Sequence, residues 1–140
     1  MKVLFVCHQN VGRSQMAKAF YNTLTGSHDA DAAGTVVHEQ GQTLQERKRT
    51  SSSKNFFVLD AMAEKGIDIS QATREQLTRE KLSNFNLVVS MESKKETPQW
   101  LLESPKYIFW DVPDPRGQEL ERTREIRDDI EARVTDLLRS

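Results

Sequence analysis

The sequence predicts an α/β fold with a mostly parallel sheet, and three apolar runs carry that prediction. Val3-Leu4-Phe5-Val6, Leu87-Val88-Val89 and Tyr107-Ile108-Phe109-Trp110 are short, unbroken and rich in β-branched or aromatic residues. The first marks a central strand buried on both faces, as in a parallel sheet, the second is another buried-strand run, and the third is a further strong strand. The segments between them carry apolar residues at helical spacing. Alternating strands and helices give a sheet covered by helices on both sides.

The first run opens the chain and is followed by a polar loop containing Gly12. Met16, Phe20 and Leu24 then recur at helical spacing, with Ala17 beside them, until Gly26 stops the helix. Residues 30–35 read as a short second strand. Residues 38–54 are polar, include Gly41 and Ser51-Ser52-Ser53, and lack apolar periodicity, so a mobile surface excursion is expected there. Phe56, Leu59, Met62 and Ala63 mark a helix ended by Gly66. Thr78 is placed to cap a short helix through Leu82. Pro98 suits the first turn of another short helix, through Leu102. The prolines of Asp111-Val112-Pro113-Asp114-Pro115 keep that stretch out of helix. Ile126, Ile130, Val134 and Leu137 trace one face of a C-terminal helix.

The chain has 140 residues, enough for one domain over residues 1–140 with a real core. Lys and Arg number 20 against 21 Asp and Glu, a formal net charge of -1. That balance gives no global attraction to nucleic acid or to an anionic membrane, so neither is expected as a partner. Residues 3–6 are too short an apolar run to span a bilayer or to form a signal-peptide core, and the default location is the cytoplasm. Cys7 is the one cysteine, which rules out an internal disulfide and fits a reducing compartment. His28 and His38 lack metal-ligand spacing, and no metal or other cofactor is expected.

Chemistry concentrates in Cys7-His8-Gln9-Asn10-Val11-Gly12-Arg13-Ser14. Five residues between Cys7 and Arg13 let the backbone curl so that its N–H groups point inward. With the positive end of the following helix, such a nest binds an anion. Arg13 adds a planar fork that matches two oxygens of a tetrahedral oxyanion. The same field favours thiolate at Cys7. Ser14 can hydrogen-bond the sulfur, Asn10 can adopt a left-handed conformation and bridge loop amides, and Gly12 supplies a positive φ where the loop turns. The bland alternative is a buried strand-end cysteine beside a solvated arginine. Arg and Ser at these offsets from a Cys arise by chance roughly once in a hundred, which favours the oxyanion loop. In open α/β sheets ligands bind beyond the carboxyl ends of the strands. Cys7 follows the first strand there, and Asp111 and Asp114 follow the last. On pattern alone those two acids are equal candidates.

These residues resemble the low-molecular-weight protein tyrosine phosphatase superfamily, which includes related arsenate reductases. The likeness rests on Cys7, Asn10, Arg13 and Ser14 in a Cys-x5-Arg-Ser loop. It continues through Ala33-Gly34-Thr35, Gly66-Ile67-Asp68-Ile69-Ser70, the strand ending at Met91, and Asp114-Pro115. The resemblance implies a three-layer sandwich with a four-stranded parallel sheet flanked by helices. It also implies a cysteine-dependent phosphomonoesterase working through a phosphocysteine on a phosphorylated protein or a small phosphate ester. Cys7 is then the nucleophile, Arg13 the oxyanion clamp and Asp114 the general acid, with residues 8–14 (His8, Gln9, Asn10, Val11, Gly12, Arg13, Ser14) forming the phosphate loop. A monomer is assumed.

Three departures keep an alternative open. Arg116 and Gly117 stand where the family's tyrosine phosphatases carry aromatic residues. Gln9 and Gln15 replace their usual Gly and Pro, and Arg13-Ser14-Gln15-Met16-Ala17 is closer to the arsenate reductases. Against that, the two further cysteines of the thioredoxin-coupled reductases are absent. An arsenate reductase of this sequence would need arsenate plus an external low-molecular-weight thiol. The expectation therefore ranks phosphatase first, arsenate reductase second and a non-catalytic phosphate-binding module third. Elsewhere, His8 is expected to point mainly to solvent. Trp100 reads as a core or groove filler, and Trp110 either packs in the core or walls the site. Arg47, Lys48, Arg49 and Lys54 form a solvated or substrate-attracting basic run, and Arg122, Arg124 and Arg127 a solvated helix face.

Overall fold

The computed structural model describes residues 1–51 and 55–140. Four strands, β1 (Val3–Cys7), β2 (Ala30–Gly34), β3 (Leu87–Ser90) and β4 (Tyr107–Phe109), form one sheet in the order β2-β1-β3-β4. All three pairings are parallel. Five α-helices are described: α1 (Arg13–Thr25), α2 (Leu44–Thr50), α3 (Val58–Ala63), α4 (Gln99–Leu102) and α5 (Leu120–Arg139). The expected four-stranded parallel sheet flanked by helices is what the chain forms.

β1 is central and buried at every position, so its side chains feed both faces. Val3 and Phe5 enter a core with Met16 and Phe20 of α1, Met62 of α3, and Ile126, Ile130 and Val134 of α5. Leu4 and Val6 enter a smaller core with Leu77, Val88 and Leu101. Phe5 anchors the larger side, its ring 6.1 Å from Tyr21 and 5.8 Å from Trp110. Removing a ring packed this way costs about 3–5 kcal/mol. Trp110, partly buried, thus packs against the larger core, and Trp100 packs against the smaller cluster.

Several local expectations change. Within 38–54, residues Leu44–Thr50 form α2, started by a capping box in which Thr43 Oγ1 accepts from Glu46 N and Glu46 accepts from Thr43 N. Leu44 is fully buried and ties this segment to the main core. One buried leucine carries no periodicity, which is why the polar pattern concealed the helix; Ser52, Ser53 and Lys54 lie outside the described residues. In α1 the buried stripe runs through Met16, Ala17, Phe20 and Tyr21, and Leu24 is exposed. Phe56 precedes α3 instead of starting it. Thr78 makes no side-chain cap, and residues Arg79–Asn84 form a 3₁₀ turn.

The basic face of α5 is also not uniformly solvated. Arg127 is buried, and its Nη1 donates to Ala61 O (2.9 Å) and Glu64 Oε1 (2.7 Å). Arg124 grips both oxygens of the same carboxylate, with Nη2 2.6 Å from Oε2. These hydrogen bonds, Arg124's first, hold Glu64 down at about 2. They fasten α5 to the end of α3, and so to the helix layer under β1.

β2 ends in Gly34, which sits against the loop leaving β1. A Cβ there would lie 2.8 Å from His8 O, 2.9 Å from Asn10 N and 2.7 Å from Val37 Cγ2. The first two are backbone atoms that cannot turn aside. Only glycine lets the loop pack this closely, and Thr35 N→Cys7 O (3.0 Å) and Val36 N→His8 O (2.9 Å) complete the join.

Two outcomes follow. Gly34→Ala should lower stability by about 1–3 kcal/mol through overpacking and weaken phosphate binding, read by thermal unfolding with and without phosphate. For Glu64, a folded value below the unfolded one means stability present above about pH 4.5 and lost as pH falls toward 2. Glu64→Gln should therefore lower the melting temperature at pH 7, and the gap to wild type should close as pH approaches 2.

Candidate active site

The carboxyl ends of β1, β3 and β4 open on one edge of the sheet, and three loops meet there. Cys7 closes β1, Met91 and Glu92 follow β3, and Val112 to Asp114 follow β4. α1 begins directly after the first loop. Its N-cap Gly12 has no side chain to cap the first turn, and no acidic residue sits in that turn. The first-turn N–H groups and the positive helix end thus face the space beyond Cys7.

Asn10 organises the loop. It is wholly buried and is the one non-glycine residue with positive φ (59°) among the described residues. Its Oδ1 accepts from Glu75 N at 2.9 Å and from Gln15 Nε2 at 3.1 Å. Those donors fix the amide's orientation, so Nδ2 donates to Ser14 Oγ at 2.8 Å. Ser14 Oγ is also hydrogen-bonded to Cys7 Sγ, 2.9 Å away. The left-handed turn lies at Asn10, and not at Gly12, whose φ is -128°. Gly12 is small for a different reason: a Cβ there would stand 3.0 Å from Pro115 Cγ.

Arg13 is buried. Its Nη1 donates to Met91 O (2.6 Å) and Val112 O (3.0 Å), joining the loops after β3 and β4. Its Nη2 lies 3.7 Å from Asp114 Oδ2. Asp114 is half-exposed, and its Oδ1 accepts from Arg116 N at 2.9 Å. Asp114 and Arg116 share a small recess with Cys7, His8, Gln9, Val11, Gly12 and Arg13. Asn10 and Ser14 lie behind that surface. Asp111 is exposed and is not on the recess; its carbonyl accepts from Arg133 Nη2 at 3.2 Å. The geometry thus separates two acids that pattern alone left equal.

His8 does not simply face solvent. Its Nδ1 is 2.6 Å from Oε2 of Glu92, a buried carboxylate. Burial raises Glu92, but the Thr35 hydroxyl, His8 and Ser93 N–H outweigh it and leave the carboxyl below its ordinary range. Glu92 was not singled out in the sequence, although its place just past the strand ending near Met91 put it on the site's edge. Arg74 was also missed, and no pattern flags it. It is buried, its Nε donates to Gln9 O (3.2 Å) and its Nη1 to Gln42 Oε1 (2.8 Å). Burial and the like charge of Arg47 pull its guanidinium below the ordinary value, and Glu39 and Cys7 pull the other way. Beside the recess lies a cavity of about 130 Å³ that also touches Val11, Gly12 and Asp114. Phe56, Val58 and Pro115 give it an apolar side, and Arg47 stacks 5.5 Å from the Phe56 ring centre. No group of three or more metal-ligating side chains occurs among the described residues, and no described helix is long and apolar enough to cross a membrane.

The chain is similar to known proteins over nearly its whole length. The chain is 35% identical over 133 residues to a putative arsenate reductase of Halobacterium salinarum, covering 95% of this chain and 87% of that protein. It is 31% identical to the glutaredoxin arsenate reductase of Synechocystis sp., over 98% and 95% of the two chains. Among solved structures it resembles a low molecular weight protein tyrosine phosphatase from T. tengcongensis, with TM-score 0.79, 25% identity and coverage of 99% and 98%. It also resembles an arsenate reductase in its phosphate-binding state, with TM-score 0.74, 29% identity and coverage of 98% and 96%. The family model for low molecular weight phosphotyrosine protein phosphatase matches residues 2–140, and the chain belongs to that family.

Proposed function

We propose that this enzyme is an arsenate reductase that completes its cycle with an external thiol. The carrying observation is the recess: small, closed by Arg13 and rimmed by the charged Asp114 and Arg116, it suits a bare tetrahedral oxyanion. The curated relatives named as arsenate reductases support the same reading over the phosphatase that the sequence ranked first.

Arsenate sits with its oxygens on the first-turn amides of α1 and on Arg13. Cys7 thiolate attacks arsenic; an S–As bond forms, an As–O bond breaks, and Asp114 gives that oxygen a proton so that it departs as water. Ser14 holds the sulfur throughout. An external thiolate then attacks Cys7 Sγ. An S–S bond forms, the S–As electron pair goes to arsenic, and arsenic(V) leaves as arsenite, arsenic(III). A second thiol displaces the first as a disulfide and restores Cys7. Two thiols supply the two electrons, so one cysteine suffices.

A phosphomonoesterase reading is favoured by one observation, the apolar-sided cavity between Phe56 and Pro115, which could receive an ester's leaving group. There the first step is the same attack at phosphorus, and water, activated by Asp114, then cleaves the phosphocysteine.

The test is a parallel assay of arsenate with glutathione and of p-nitrophenyl phosphate alone. Thiol-dependent arsenite release is the expected result. Turnover of the aryl phosphate without arsenite release replaces this reading with the second. Cys7→Ser should abolish either activity. Asp114→Asn should slow it by about 10²–10⁴, and Asp111→Asn should leave it near wild type.

A further inference from the structure

We propose that His8, held by Glu92, is the general base that takes the proton from the incoming external thiol. The proposal rests on the arsenate-reduction reading and assigns a catalytic role within it.

The need for such a base follows from thiol chemistry. Only the thiolate attacks sulfur. A free thiol with an ordinary value of ~8.5 is about 3% ionised at pH 7. With no second cysteine in the chain, the attacking sulfur must come from solution and be ionised at the site.

The geometry supplies what is required. His8 follows Cys7 directly, and both line the same recess. Glu92 Oε2 takes the Thr35 hydroxyl at 2.5 Å and faces His8 Nδ1 at 2.6 Å, while Oε1 accepts from Ser93 N at 2.9 Å. A carboxylate so placed only accepts, which puts a proton on Nδ1 and leaves Nε2 as the ring nitrogen able to receive one. Nε2 has no hydrogen-bond partner among the described residues, and the side chain is 32% exposed, so the ring reaches solvent. The backbone is also held, because Val36 N donates to His8 O and Gly34 packs against that carbonyl. The other charged groups around the recess are Arg13 from α1, Asp114 and Arg116 from the loop after β4, and Arg74, which is bonded to Gln9 O. Glu92, and none of these, is hydrogen-bonded to the imidazole.

The step balances. The S–H proton of the thiol passes to Nε2, and the sulfur lone pair forms the S–S bond to Cys7. The S–As pair leaves with arsenic, which is reduced from the V to the III state. Glu92 stabilises the imidazolium, and the exposed ring returns the proton to water. The external thiols supply both electrons, and the histidine moves only the proton.

The experiment measures arsenite release by the full-length protein, wild type and His8→Gln, at pH 7 with a series of thiols of rising acidity. Glutathione and 2-mercaptoethanol are largely protonated there, whereas thionitrobenzoate is already anionic. His8→Gln should lose up to about 30-fold with the protonated thiols, the reciprocal of the ~3% ionised fraction, and match wild type with the anionic one. With glutathione its rate should climb with pH in step with the thiolate. Glu92→Gln should show the same selectivity in weaker form. Equal rates for wild type and His8→Gln with every thiol overturn the proposal, and so does an equal loss with all of them, which marks a structural role. A wild-type protein that releases no arsenite with any thiol refutes the arsenate-reductase reading itself and, with it, this role for His8.

Discussion

The site depends on one buried amide. Asn10 adopts a left-handed backbone that costs a non-glycine residue roughly 1–2 kcal/mol. Its side chain answers with bonds to Ser14 Oγ, Glu75 N and Gln15 Nε2, each contributing about 0.5–1.5 kcal/mol net. The residue thus offsets its own strain and ties the loop together. Because Glu75 N dictates which end of the amide accepts, Nδ2 faces Ser14 Oγ, and Ser14 in turn is hydrogen-bonded to Cys7 Sγ. Reverse the amide and Ser14, the residue that holds the sulfur, would lose its donor. Gln15 belongs to the same arrangement: its Nε2 also donates to Asn10 O and Thr73 O, so the residue that departs from the phosphatase pattern braces the loop from behind.

Charge is arranged locally against a chain that is nearly neutral overall. Arg13 and Arg74 are both buried beside the loop, and each is held by backbone carbonyls or amide oxygens instead of by a carboxylate at close range. Asp114, at 3.7 Å from Arg13, is a loose contact at the recess mouth. A guanidinium bonded only to neutral acceptors keeps most of its field for an incoming anion. Contrast the α3–α5 junction, where Arg124 and Arg127 spend their charge on Glu64. The same residue type is left open to an anion in one place and docks a helix in the other, and the difference lies in what surrounds it.

The positions and burial of β1 and β3 were legible because a central parallel strand leaves no room for polar residues, so both stand out as apolar runs. The Cys7–Ser14 loop was legible because its spacing is local. Contacts formed across the fold were not. Glu92 meets His8 from 84 residues away, and Arg74 meets Gln9 from 65; nothing near either residue announces the meeting. α2 was hidden because a helix anchored by Leu44 alone shows no stripe. Arg127 looked solvated because its neighbours in sequence are charged, yet its burial is decided by α3. Sequence patterns report a residue's own element well and its partner element poorly.

Phosphoester hydrolysis and arsenate reduction share nearly every group described around Cys7. In the proposed mechanisms both use the nest, Arg13, the Ser14 hydroxyl and a proton from Asp114, because both begin with sulfur attacking a tetrahedral centre. They part at the second nucleophile. Water must attack the central atom from the side the leaving group vacated, where Asp114 stands. A thiol must instead attack Cys7 sulfur itself, and so must come close to the residue that follows it. The family fold therefore constrains the first step far more than the second, and the residues that distinguish the two reactions are those beside the sulfur and at the mouth. In this chain those positions hold an imidazole backed by a carboxylate, and Arg116 where an aromatic wall would favour an aryl ester.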